Sequence, residues 1–198
     1  MSRRSVLDRP LRQNEDLGRV TFAAFSYLFC EMCSRCRTVP SPVQDITEWE
    51  ERLCRLGVEV GSRLVQISAV RDPQFFKQRP IHVEAILSVI SDNLWVKWFG
   101  RKSEVNKERG TDRYILVDNE PLLSKYIVMP SDYLNVDGTP KINLLSFVAG
   151  MVQGVLGSCS FPSQVTAFHD GSKEAPDRTL YCVQFEQHVV ERERRNAQ

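Results

Sequence analysis

No run of apolar residues in this 198-residue chain is long enough to cross a bilayer. The two most apolar windows, Val20–Cys30 and Leu144–Leu156, fall well short of the roughly 20 residues that a spanning helix needs. Val20–Cys30 also fails as a signal-peptide core. Arg3, Arg4, Arg9 and Arg12 precede it, but the preceding stretch is long and mostly polar, and no small-residue cleavage site follows. The expectation is a soluble chain that reaches a membrane only if something else carries it there. Neither sign of charge is in excess: 26 basic and 25 acidic side chains leave a net charge of +1, which gives no footprint for nucleic acid. Six cysteines, three of them in one predicted helix, do not form the framework of a secreted disulfide protein, so a reducing, cytosolic setting is expected.

Catalytic signatures are also missing. There is no Walker loop and no G-x-S-x-G elbow, and Gly150, Gly154 and Gly157 neither match G-x-G-x-x-G nor follow a strand. His82, His169 and His188 stand far apart, and nothing assembles a nucleophile, a base and an oxyanion donor. The expectation is therefore a protein that is not an enzyme and has no cofactor. Two fragments imitate metal sites. Cys30, Cys33 and Cys36 spell C-x-x-C-x-x-C, but Pro40 stands where the iron–sulfur run places its fourth cysteine. On a helix the three thiols also fan out instead of converging, and no partnering histidine is near for zinc. Asn135, Asp137 and Gly138 occupy positions three, five and six of a calcium loop whose first and twelfth positions, Tyr133 and Leu144, carry no carboxylate.

What the chain does have is helical patterning followed by short strands. Residues 1–18 read as a flexible basic arm, residues 19–190 as one α/β domain, and residues 191–198 as a charged tail that frays. Over Val20–Arg37, Phe22, Phe25, Phe29, Met32 and Cys36 recur every three or four residues. Ala24, Tyr27 and Leu28 cover a second side, and Glu31 is the only charge between Val20 and Ser34. A helix apolar nearly all round is buried on more than one side, and a partner subunit is the economical cover for the second. Ser41, Pro42 and Gln44 read as a capped start to a second helix running to about Arg71. It carries Ile46, Trp49, Leu53, Leu56, Val60, Leu64 and Ile67 on one stripe. A third helix runs from near Pro80 to Gly100, and Arg101–Asp112 reads as a charged loop. Arg113–Asp118 and Lys125–Met129 read as strands around Asn119-Glu120-Pro121, and Gln164–His169 and Thr179–Phe185 as the last two. Between the pairs lies the helix around Gly150 and Gly154. A glycine inside a helix costs roughly 1 kcal/mol against alanine, so these two, like Gly57 and Gly61 in the second helix, point to close approach of another backbone. The order of elements gives an α+β fold, helices packed on one face of a four-stranded antiparallel sheet.

Four blocks of the chain, in register over residues 5–190, resemble a known family. Leu56-Gly57 with Val60-Gly61 and Arg63 is one. Leu94-Trp95-Val96-Lys97 with Phe99-Gly100-Arg101-Lys102 is the second, and Tyr114-Ile115, Glu120-Pro121-Leu122 and Tyr126-Ile127 with Pro130 the third. The most distinctive runs from Phe147-x-Ala149-Gly150-Met151-Val152 through Leu156 and Phe161-Pro162 to Val165-Thr166-Ala167. The family is that of the small α/β subunits of the transport protein particle (TRAPP), a membrane-tethering complex. The resemblance implies an α/β plait and a subunit with no chemistry of its own. It implies helix-mediated heterodimers and a place between the acylated central subunit and a longin-type subunit. It further implies an assembly that promotes nucleotide exchange on a Rab GTPase in endoplasmic reticulum–Golgi transport and autophagy, cytoplasmic and peripheral at the cis-Golgi and endoplasmic reticulum. The acylated relative carries a cysteine after its glycine- and arginine-bearing helix; here none occurs between Cys54 and Cys159, so that site does not carry over.

On this reading the expected subunit interface is Phe22, Phe25, Phe29, Trp49 and Leu53, and the expected packing residues are Gly57, Gly61, Gly150, Gly154, Phe161 and Pro162. Arg101 and Lys102 are candidates to face a membrane or a partner. Two other functions compete. Trp95, Trp98 and Phe99 suit the lining of a small-molecule or acyl-lipid pocket, and the cysteine run suits a metal protein.

Overall fold

The computed structural model describes residues 22–42, 45–72, 79–125, 127–136, 138–171 and 175–196. The arm expected over residues 1–18, the side chain of Phe22, and Tyr126 and Asp137 lie outside the described residues. Helix α1 spans Phe22–Thr38 and α2 spans Ile46–Arg71. The α2 cap is Asp45, whose carboxylate accepts the Thr47 N–H at 3.0 Å, and not the expected Ser41. Ser41 serves Arg52 instead, which donates to the carbonyls of Cys36, Val39 and Ser41 and pairs with Glu48 at 2.8 Å. One side chain thus gathers the carbonyls freed where α1 ends.

The third helical stretch is one continuous run in three parts: α3 at Val83–Ser88, a π-helical turn at Val89–Leu94, and α4 at Trp95–Phe99. Gly100, at φ 77°, takes the left-handed position that ends it. The wider π turn goes with a Ser91 carbonyl that accepts the Ser103 N–H at 3.4 Å, tying the following loop to the helix. Strands β1 (Glu104–Lys107), β2 (Arg113–Asp118), β3 (Ser163–His169) and β4 (Thr179–Phe185) form one antiparallel sheet in the order β1-β2-β4-β3. Helix α5 covers Ser146–Ser158 and α6 covers Gln187–Asn196.

Three expectations change. The loop read over Arg101–Asp112 contains β1, an edge strand whose sequence Glu-Val-Asn-Lys has one apolar residue and so no alternation to read. Lys125–Met129 forms no strand in its described residues, because β2 is already paired on both sides, by β1 and β4, and has no edge left to offer. The tail does not fray at Glu191 but stays helical to Asn196. Val189 is fully buried beneath it, Gln187 reaches Glu191 at 2.8 Å, and Arg194 pairs with Asp112 at 2.7 Å.

The helices lie on the face of the sheet to which Tyr114, Leu116, Tyr181, Val183, Phe185 and Val165 point, all of them buried. Helix α5 rests on β3, and α2 crosses α5. Where they cross there is no room for side chains. A methyl group on Gly57 would strike the Phe147 carbonyl oxygen, on Gly61 that of Met151, on Gly150 that of Cys54, and on Gly154 that of Val58. Each helix thus lays its glycines on the other's carbonyl ladder. Ser62 adds a hydrogen bond across the seam to the Gly154 carbonyl at 3.2 Å.

Candidate interaction surface

Helix α1 turns one narrow edge inward. Phe29 and Cys33 are buried there, with the Phe29 ring 5.7 Å from Phe147 and the Cys33 carbonyl accepting the Trp49 indole N–H at 3.0 Å. Arg37 continues the edge, its guanidinium lying 5.7 Å from Trp49 and 5.1 Å from the Tyr133 ring. Phe29, Trp49 and Leu53 are therefore core, at 2%, 8% and 0% exposure, and correct the expected interface: a side chain already covered by its own chain has no surface left to offer. Phe25 is 40% exposed. The apolar surface of α1 is carried by Tyr27 at 78% and Leu28 at 65% exposure, which periodicity assigned only to a second side. Their signal in the sequence was the near absence of charge around them.

Helix α2 extends this layer. Trp49, Leu53, Gly57, Gly61 and Val65 form its buried stripe, and Glu51, Arg55, Glu59 and Arg63 alternate in sign along an exposed one. Between them Leu56, Val60 and Leu64 are half-buried, while Ile67 and Val70 are exposed at 44% and 69%. The outer helical layer therefore presents apolar side chains on both helices, beside a charged line on α2 and the Glu31–Arg35 pair on α1.

The other candidate groups are committed within the chain. Arg101 Nη2 lies 2.9 Å from Asp118 Oδ1 and its Nη1 3.5 Å from Glu120, and Lys102 lies 2.9 Å from Asp92. Burial holds the Asp118 carboxyl above the ordinary aspartate range despite Arg101. Trp95 packs against Trp98 at 6.4 Å, Phe99 at 5.1 Å and Tyr181 at 5.4 Å, so the Trp95 ring fills core, with Trp98 and Phe99 half-buried against it. The cysteine run is dispersed: Cys30 is exposed, Cys33 buried and Cys36 between the two. Burial, with the neighbouring Cys36 and Cys30 thiols, pushes Cys33 up to about 12. Among the described residues no three metal-ligating side chains converge, and no helix is long and apolar enough to cross a membrane. His82 pairs with Glu193 at 3.2 Å and His188 with Glu186 at 3.4 Å. His169 stands at a cavity of about 390 Å³ between the end of β3 and the loop before α5. Phe161 is buried under the Arg192 guanidinium at 4.6 Å, and the Pro162 carbonyl accepts the Glu186 N–H at 3.1 Å.

Comparison with known proteins agrees with this architecture. The sequence pattern of the family described as transport protein particle (TRAPP) component matches residues 25–186. Trafficking protein particle complex subunit 5 of Dictyostelium discoideum is 30% identical over 95% of this chain and 96% of its own. The Homo sapiens protein of the same name is 28% identical over 96% and 92% respectively. The resemblance carried by the residue blocks of the sequence likewise points to subunit 5. Among solved structures, a trafficking protein particle complex subunit 3 from Naegleria fowleri, covalently bound to palmitic acid, superposes with a TM-score of 0.63. It does so at 12% identity over 84% of this chain and 95% of that one, a likeness of fold.

Proposed function

The chain belongs to the transport protein particle (TRAPP) component family, and on that premise we propose that it is a non-catalytic core subunit of the TRAPP tethering complex. It bridges neighbouring subunits, the acylated central one and a longin-type one, in an assembly that acts as a guanine-nucleotide exchange factor for a Rab GTPase. The assembly works in endoplasmic reticulum–Golgi vesicle transport and autophagy. Its membrane association is peripheral and belongs to the complex.

The observation that carries this reading is the exposure of Tyr27 and Leu28 on a helix with no charged residue from Phe22 to Cys30. Aromatic and leucine side chains displayed beside half-buried apolar residues are what a permanent interface covers. The relatives named above, matched over nearly their whole length, support membership of the same complex. Arg101, Lys102 and Arg194 are each engaged in an ion pair that ties a loop to the fold.

The test is a tagged chain at native expression, purified gently and identified by mass spectrometry, beside a Tyr27→Lys, Leu28→Glu double variant. The wild type is expected to recover other subunits of the complex in stoichiometric amounts. The variant is expected to lose the neighbour that covers α1 while keeping its circular dichroism and melting temperature, because neither side chain is buried in the chain itself. Recovery of the wild-type chain alone, as a monodisperse monomer, would overturn the reading.

A further inference from the structure

β3 is an edge strand, and its open edge is capped at one position, Val165. In an antiparallel ladder alternate residues turn their N–H and C=O groups towards the partner strand. The Pro162 carbonyl accepts the Glu186 N–H at 3.1 Å, and the Asp170 N–H donates to the Arg178 carbonyl at 2.9 Å. Positions 164, 166 and 168 between them therefore face β4, and positions 163, 165, 167 and 169 face outward. The outward Val165 N–H is taken by the side-chain oxygen of Gln153 on α5 at 3.1 Å. No hydrogen bond to a described residue takes up the outward groups of Ala167 and His169. The opposite edge is defended in the usual ways: β1 is four residues long, and the Lys107 ammonium lies 5.4 Å from the Tyr114 ring.

The undefended part of β3 borders the cavity of about 390 Å³, which is lined by Ala167 and His169 on one side and by Met129, Ile142, Leu144 and Leu145 on the other. Two carboxylates, Glu50 and Asp177, also line it. Glu50 accepts the Asn143 N–H at 2.6 Å, but neither acid has an ion-pair partner among the described residues. Among the described lining residues the one ammonium is that of Lys141, which donates to the Asp132 carbonyl at 3.0 Å. Unpaired backbone groups beside a pocket are the arrangement by which a strand is added to a sheet, main-chain bonds giving affinity and the pocket giving specificity. The unbalanced carboxylates set the charge of the guest.

We propose that the Ala167–His169 edge of β3 accepts an extended segment of another polypeptide chain as a fifth strand. One apolar side chain of that segment fills the cavity, and a lysine or arginine two residues away, on the same face of the added strand, faces Glu50 and Asp177. This contact lies on the sheet edge, with Glu50 contributed by α2, and is separate from the surface that carries Tyr27 and Leu28. It rests on the reading of the chain as a subunit of a complex.

Hydrogen exchange resolved to single amides, on the tagged complex and on the isolated chain, tests it. The amides of Ala167 and His169 are expected to exchange at least about tenfold more slowly in the complex, while those of Thr166 and Phe168, already in the ladder, are protected in both. Ala167→Pro removes an N–H that the fold does not use, at an edge where proline is tolerated. Asp177→Lys reverses the charge of the cavity. Both are expected to reduce recovery of one and the same neighbour, with the chain's circular dichroism unchanged. If the complex is recovered intact and the two amides exchange as fast in it as in the isolated chain, the strand-addition site is overturned and the subunit reading stands. If the chain is recovered alone, both fall. Protection of these amides in the isolated chain that grows with its concentration would make the guest a second copy, and would overturn a heterologous strand.

Discussion

Replacing Gly150 by alanine should reverse the sign that helix propensity dictates. In an ordinary helix interior the change stabilises by about 1 kcal/mol. Here the added methyl group meets the Cys54 carbonyl oxygen and the carbon behind it, both of them backbone, so no rotamer change relieves the overlap. The two helices must separate, and three further glycine contacts along the same seam must open with them. Overpacking of this kind costs about 1–3 kcal/mol. Gly157, also in α5 but with nothing near its missing methyl group, is the internal control and should gain up to about 1 kcal/mol on replacement. Paired urea titrations of Gly150→Ala and Gly157→Ala, at matched m-values, measure the difference. Thermal melts should move in opposite directions, by about 2–4 °C per kcal/mol for a chain of this size. Equal or greater stability of Gly150→Ala would refute the claim that α2 and α5 touch through their backbones.

Two further predictions concern titration. Cys33, pushed up to about 12 and buried, should resist iodoacetamide at pH 8 until the chain unfolds, whereas the exposed Cys30 is alkylated in the native state; mass spectrometry of labelled peptides separates them, and early labelling of Cys33 would contradict the packing of α1. Asp118, held above the ordinary carboxyl range by burial, contributes stability that is fully present below its unfolded value and is lost as pH rises through its folded one. Melting curves of wild type and Asp118→Asn should accordingly diverge in favour of the wild type as pH falls from 7 towards 4, and an unchanged gap would mean that the carboxyl is not desolvated.

The sequence made long-range periodicity legible and left short or partnered elements obscure. The end of helix α2 at Arg71 was legible because its apolar stripe spans many turns and Asp72-Pro73 follows it; its start was not, since the sequence points too early, to Ser41, and the cap is Asp45. β4 was bounded at Thr179 and Phe185 because one face alternates strictly. β1 was hidden, since it is held by pairing with β2 and not by its own residues. Lys125–Met129 had strand-like composition without an edge to pair with, and pairing decided. The candidate surface was half legible. The low charge around Tyr27 and Leu28 marked a second apolar side of α1, but which of its aromatic residues face inward depends on where α2 and α5 lie. The open edge of β3 left no trace in the sequence, because pairing decides which strand ends the sheet, and the side chain that caps it, Gln153, reaches Val165 from a neighbouring helix.

The glycine seam has a mechanical consequence. Helix α2 is 26 residues long, about 39 Å at 1.5 Å per residue, and along its middle it lies on α5 without an intervening layer of side chains. Side chains hop between rotamers and yield under load; carbonyl ladders do not. A push on the outside of α2 therefore reaches α5, and through it the sheet, with little damping. The distance from the outer face of α2 to the sheet is therefore set by backbone contacts along this seam.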